Sequence, residues 1–251
     1  MSLRKYIPQT APAERSLVLV EGDTPKPVSK MLAETFEDQP VSIETTDHHG
    51  YVENTVLLVE DGSVLASSSL RKLQDNLLLI NSDLFITGSR DLDDVEVPAI
   101  IRNLEGVPFR LWGYPESNTE KLLLILISRF VERRAMEAGS GQLRSSFQRL
   151  SRVKDEVGTR SVYEGLSDTD LSVHVYGLPD WIPSRELDLV THAGRGPNFE
   201  RAWFVIFEPA DTEVDPYGLL AYETEPRRWH GFFTSDETQI AEIATEIRQE
   251  M

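Results

Sequence analysis

Apolar residues fall along this chain in short runs, broken by charged and turn-forming residues, and the period of the runs changes several times. Residues 17–20 form an apolar run between Arg15 and Gly22-Asp23, the mark of a buried strand. Residues 28–36 carry helical spacing, with Pro25 and Pro27 near the start. Residues 41–44 alternate as a strand does. Residues 55–59 and 64–67 flank Glu60-Asp61-Gly62-Ser63, and an Asp-Gly pair, which tolerates positive φ, predicts a hairpin. Residues 70–75 predict a helix. Residues 77–80 and 84–87 fit strands or helix pieces equally well.

Beyond a charged stretch at 90–96, residues 98–104 predict a short helix. Ser117-Asn118-Thr119-Glu120 has the form of a capping box, in which Ser and Glu each satisfy an orphan amide at a helix start. Six consecutive apolar residues, 122–127, then require burial on nearly all sides, so Leu123, Leu126, Ile127 and Phe130 are expected in the core. Gly139 and Gly141 end this central helix. Leu143, Phe147 and Leu150 fall at i, i+4 and i+7 and predict a second helix beside it. Residues 162–166 read as helical and residues 171–176 as a strand. Residues 202–207, 218–222 and 229–234 read as strands. A final helix opens at Ser235-Asp236-Glu237 and carries Ile240, Ile243, Ala244 and Ile247 on one stripe. The class expected is α/β: two α/β lobes with mixed sheets joined by a central helical pair. The N-terminal lobe is assigned to 1–90, and 91–251 to a second unit with central helices at 118–157 and a C-terminal lobe at 158–251.

Charge changes the picture more than size does. The 251 residues carry a formal net charge of −17, and only six of the 25 basic residues are Lys. An acidic surface poor in Lys suits a salt-rich cytoplasm, because the Debye length falls to about 3 Å at 1 M and self-repulsion is screened. Such a surface disfavours a grip on nucleic acid or anionic lipid. The absence of Cys removes disulfides, thiol catalysis and Cys-ligated metals. No apolar run approaches the ~20 residues of a membrane-spanning helix, and no secretory signal is visible, so a cytoplasmic location without membrane insertion is expected.

Three blocks of residues resemble the DICT sensory domain of cyanobacterial and haloarchaeal signalling proteins. The first is Ser128-Arg129-Phe130-Val131-Glu132-Arg133-Arg134-Ala135, followed by Ser146-Phe147-Gln148-Arg149-Leu150-Ser151. The second is Val162-Tyr163-Glu164-Gly165-Leu166 through Val173-His174-Val175-Tyr176-Gly177-Leu178-Pro179-Asp180. The third is Trp203-Phe204-Val205-Ile206-Phe207 with the later Gly231-Phe232-Phe233-Thr234-Ser235-Asp236. The order holds over about half the chain, residues 120–240, with Ser146 where the family has Gly and Phe233 where Trp is common. The resemblance implies a sensory role in signal transduction. No ligand or catalytic residue of the family carries over.

Candidate chemistry is sparse. Asp47-His48-His49 precedes Gly50 and reads as a turn before it reads as a metal site. His174, His192 and His230 are scattered, with no legible pairing to a nucleophile. Gly194-Arg195-Gly196 resembles a phosphate loop superficially but is followed by Pro197 instead of a helix start. No catalytic residue, metal ligand or cofactor is assigned. A ligand, if one binds, is expected at the C-terminal strand ends among Tyr176, Gly177, Pro179, Asp180, Trp203 and Trp229. Arg129 with Glu132 is expected as a buried ion pair fixing the helices, and Phe147 and Gln148 as further members of the signal helices. The function expected is a sensory or regulatory module, not an enzyme. It couples a small ligand or a signalling partner to downstream regulators, and the central helix offers a homodimer contact. The alternatives are a small-molecule enzyme with an unrecognised site, or a pure interaction adaptor.

Overall fold

The computed structural model describes residues 2–9, 15–20, 41–46, 54–69, 72, 98–112, 122–155, 157–182 and 187–251. Strands β1 (Arg15–Val20), β2 (Val41–Thr46), β3 (Thr55–Glu60) and β4 (Ser63–Ser69) form a sheet in the order β2-β1-β3-β4. β1 runs parallel to β2 and antiparallel to β3. The Asp-Gly pair turns β3 into β4 with φ of 49° at Asp61 and 77° at Gly62, the positive angles a two-residue primed turn demands.

Helix α1 (Ala99–Asn103) lies on this sheet, and the Ile100 amide donates to Ser68 Oγ at 3.4 Å. The chain then enters a seven-stranded sheet at its edge. That sheet holds β5 (Phe109–Trp112), β6 (Ser140–Arg149), β7 (Asp170–Leu178), β8 (Val190–Ala193), β9 (Ala202–Pro209), β10 (Tyr217–Glu225) and β11 (Arg228–Thr234). The order is β5-β11-β10-β9-β6-β7-β8, antiparallel from β5 to β6 and parallel from β6 to β8. The fold is therefore α/β with two mixed sheets.

Strand periodicity divides the core between the two faces of the larger sheet. On one face lie α2 (Leu122–Ala138) and α4 (Val157–Ser167), the latter reached from β6 through α3 (Arg152–Asp155). Leu124, Leu126, Ile127, Val131 and Ala135 of α2 are buried with Val205, Phe207, Leu219 and Phe233. Phe130 is half-buried, edge-on to Tyr217 at 5.1 Å, and the side chain of Leu123 lies outside the described set. The same cluster reaches Val56, Leu58, Ala66 and Ile100. The opposite face carries α6 (Glu237–Glu250) and the short α5 (Pro197–Arg201). Ile240, Ile243, Ala244 and Ile247 are buried there against Phe204, Ile206, Leu220 and Phe232. Each such Ile contributes about 1.5–3 kcal/mol. Asp236 caps α6 by accepting from the Gln239 amide at 2.8 Å. A single turn of 3-10 helix, Leu3–Tyr6, also packs on this face.

One expected element is different. Leu143, Phe147 and Leu150 do not form a second central helix: residues 140–149 are β6, the strand between β9 and β7. Leu143 and Phe147 are four apart, which is one face in either period. Leu150 keeps that face because a bulge at Gln148, φ 69°, shifts the pleat by one. The helix is thus joined to a strand, and Phe147 and Gln148 belong to that strand. The expectations at 28–36, 77–80, 84–87, 90–96 and 117–120, and all of 70–75 but residue 72, lie outside the described residues. Among the described residues no helix is long and apolar enough to cross a membrane.

Candidate functional site

The six residues expected to wall a ligand do not come together. Trp203 and Trp229 lie on the α2 face with ring centroids 6.1 Å apart, edge to face. Tyr176 lies on the α6 face. Asp180 is engaged at the corner after β7, where its carboxylate accepts from the Ser151 amide at 3.0 Å and the Ser151 hydroxyl at 2.9 Å. Burial pushes its pKa up, but those bonds and Arg149 outweigh it and leave the carboxyl below its ordinary value. Pro179 is exposed beside it. Gly177 is a close-approach position: a Cβ there would meet the Leu150 amide at 2.8 Å. This set therefore divides into core and corner positions on two sides of the sheet.

Arg129 and Glu132 do form a buried pair. Arg129 Nη1 meets Glu132 Oε2 at 2.5 Å, Arg129 Nη2 donates to Thr159 Oγ1 at 2.7 Å, and the Tyr163 hydroxyl donates to Glu132 Oε1 at 3.1 Å. The pair ties α2 to α4, not to the second helix expected from the sequence. Burial holds the Glu132 carboxyl above its ordinary range against the opposing pull of Arg129 and Tyr163. Burial also pushes the Tyr163 phenol well up. An aromatic row leads away from this knot: Tyr163 edge-on to Phe147 at 5.9 Å, Phe147 edge-on to Trp203 at 5.4 Å, and the Trp203 indole donating to Ser128 Oγ at 3.0 Å.

The most chemically loaded cluster is one that the linear sequence hides. On the α6 face, beyond the apolar stripe of α6, the pleat of β7 presents Ser172, His174 and Tyr176 in a row. Parallel β8 sets His192 beside Tyr176, with the rings stacked at 4.3 Å and 7°. His174 Nδ1 lies 2.9 Å from His192 Nε2, and His174 Nε2 lies 3.1 Å from Ser172 Oγ. β6 places Arg144 directly opposite His174, only 2% exposed. Its guanidinium donates to Gln142 Oε1 and meets Glu208 Oε2 at 2.5 Å, while its buried Nε has no hydrogen-bond partner. Arg248 of α6 reaches the same Glu208 oxygen at 3.2 Å. Burial first, then the Arg144 guanidinium and His192, bring the His174 pKa down to about 4. Burial and Arg144 lower His192 as well. Both imidazoles are therefore neutral at pH 7, and one N–H is shared between them.

His192 could not be paired with His174 from the sequence because β8 is four residues long and lacks a period of its own. The one legible signal was the alternation that sets Ser172, His174 and Tyr176 on one face. Pro197, expected to preclude a helix start, is instead in the first turn of α5, where its fixed φ fits. His48 and His49 lie outside the described residues. Among the described residues, no group of three or more His, Cys, Asp or Glu side chains could hold a metal ion.

No family model matches the chain, and no curated protein matches it. Among solved structures it is similar to a polyphosphate kinase from Porphyromonas gingivalis, with a TM-score of 0.35 and 10% identity. That match covers 91% of this chain and 34% of the kinase chain, so the chain spans about a third of that protein's length.

Proposed function

We propose that the chain is a sensory or regulatory module, in keeping with its resemblance to DICT domains, and that its input side is the His174–His192–Tyr176–Arg144 cluster. The observation that carries this reading is the stacked Tyr176–His192 pair beside a buried guanidinium, built from three strands, with Tyr176 and Arg144 buried and His174 and His192 half-buried. Polar groups on a sheet face that is otherwise apolar cost stability unless they bind something or one another. β6 joins this cluster to the other face, since Arg144 and Phe147 are on the same strand and Phe147 touches Tyr163. A ligand that moves Arg144 can therefore bias the Arg129–Glu132–Tyr163 knot and the helix surface offered to a signalling partner or a second copy.

A second reading has its own observation. Ser172, His174 and His192 form a hydrogen-bonded chain with the order of a nucleophile, a base and an orienting group. Its weakness is electrostatic. An imidazole with a pKa of about 4 is a poor base at neutral pH, and Arg144 opposes the imidazolium that acyl transfer requires. Native mass spectrometry of protein purified at high salt, with Tyr176→Ala and His192→Ala beside wild type, tests the sensory reading. A retained small molecule or partner lost in both variants is the expected result. Saturable ester hydrolysis that disappears in Ser172→Ala would sink the sensory reading in favour of the second.

A further inference from the structure

We infer that the polar floor formed by Arg144, His174, Tyr176 and His192 takes a small oxyanion, a carboxylate or phosphate group, in competition with the chain's own Glu208. This deepens the input site proposed above and rests on that reading. The chain as a whole carries −17, yet here two guanidiniums converge on one carboxylate. Arg144 is 2% exposed, and its Nε is a buried donor without a partner. An unpaired buried donor is costly, and a planar guanidinium is the side chain best matched to a planar or tetrahedral oxyanion.

The groups facing this floor suit the same ligand. β7 contributes Ser172, His174 and Tyr176, β8 contributes His192, β6 contributes Gln142 and Arg144, β9 contributes Glu208, and α6 contributes Arg248. His174 is engaged through both ring nitrogens; when its Nδ1–H donates to His192 Nε2, the Nδ1–H of His192 is left to donate to an anion without needing a counter-charge. A cation is disfavoured by the same geometry, since Arg144 stands directly opposite His174. Glu208 already occupies the place between the two guanidiniums and is half-buried there, so it acts as an internal stand-in that a free oxyanion displaces.

The test follows the imidazole 15N resonances of His174 and His192 while inorganic phosphate, or succinate in a second arm, replaces chloride at constant ionic strength. A saturable shift with either anion is expected, and the arm that responds names the source. Glu208→Gln, which removes the competing charge at constant shape, should tighten binding about tenfold, and Arg248→Gln should weaken it about tenfold. Backbone amide spectra establish that both variants are folded. The inference is overturned if neither anion moves the imidazole resonances of folded wild type, or if Glu208→Gln binds no more tightly. A neutral or cationic molecule retained on Tyr176 and His192 in native mass spectrometry would overturn the oxyanion class alone and leave the input site standing.

Discussion

Glu132 has no solvent exposure, and its two oxygens face a guanidinium and a phenol. Removing one partner of a buried pair strands the other charge, so Glu132→Ala should cost about 3–5 kcal/mol, read as a lower urea midpoint. Glu132→Gln strands the same guanidinium but keeps the volume and a polar contact to Tyr163, so it should cost less than Ala by that packing alone; equal losses would show that charge, not volume, matters there. His174 gives a pH dependence of definite sign. Its folded pKa of about 4 lies below the 6.5 of an ordinary imidazole. Between those values the unfolded chain takes up the proton and the folded chain does not, so stability falls as pH drops from 6.5 towards about 4. His192, also lowered, acts in the same direction. Because the ring is partly exposed, screening reduces the size of this effect. Wild type should therefore lose more of its urea midpoint across this window than His174→Asn does. Parallel profiles for the two would refute the assignment.

At the scale of elements, β6 is the strand on which both faces depend. Gly141, φ 126°, enters it where a Cβ would overlap the Glu208 carbonyl and lie 2.9 Å from the Ala210 amide. Gly141→Ala should therefore disrupt the β6–β9 pairing, seen as loss of amide protection along β6 before α6 is affected. In α2, Leu126 is 1% exposed, and Leu126→Asp would bury a charge with no partner and should unfold the protein. Hydrogen exchange that ranks α2 among the fastest segments of wild type would contradict this. Much of the element pattern was legible: the Asp61-Gly62 hairpin, the Ile240–Ile247 stripe, and the apolar strands β9 and β10 all follow from local period and turn chemistry. β6 was not, because a one-residue bulge lets a strand imitate helical spacing. The histidine pair was not, because parallel pairing through a crossover leaves no local trace. The expected aromatic pocket failed for a related reason. Tyr176 and Trp203 belong to strands whose pleats point those rings to opposite faces, and the phase between strands is not written in either one.

For the whole molecule the dominant number is the net charge of −17. Like charges at this density repel across the surface, and the repulsion reaches further as the Debye length grows from about 3 Å at 1 M salt to about 10 Å at 0.1 M. The melting temperature should therefore fall as salt is lowered over that range. An unchanged value would show that the carboxylates are dilute enough not to interact. The exposed pairs Arg133–Glu137 and Arg160–Glu164 do not offset this, since surface pairs of that kind contribute at most about 1 kcal/mol.

The short turn at Leu3–Tyr6 sets a schedule for synthesis. Lys5 meets Glu246 at 2.7 Å, 241 residues further along, and Leu3 and Ile7 are buried in the cluster that α6 completes. Translation at about 5–20 residues per second keeps those apolar side chains waiting for roughly ten to fifty seconds before their partner helix exists. Anything that holds nascent apolar segments in the cell has that interval in which to act. Docking of the turn needs the sheet and α6 already in place, because its partners lie there. Exchange of the Leu3 amide, which donates to Asn198 Oδ1 at 3.2 Å, reports that last step separately from global unfolding.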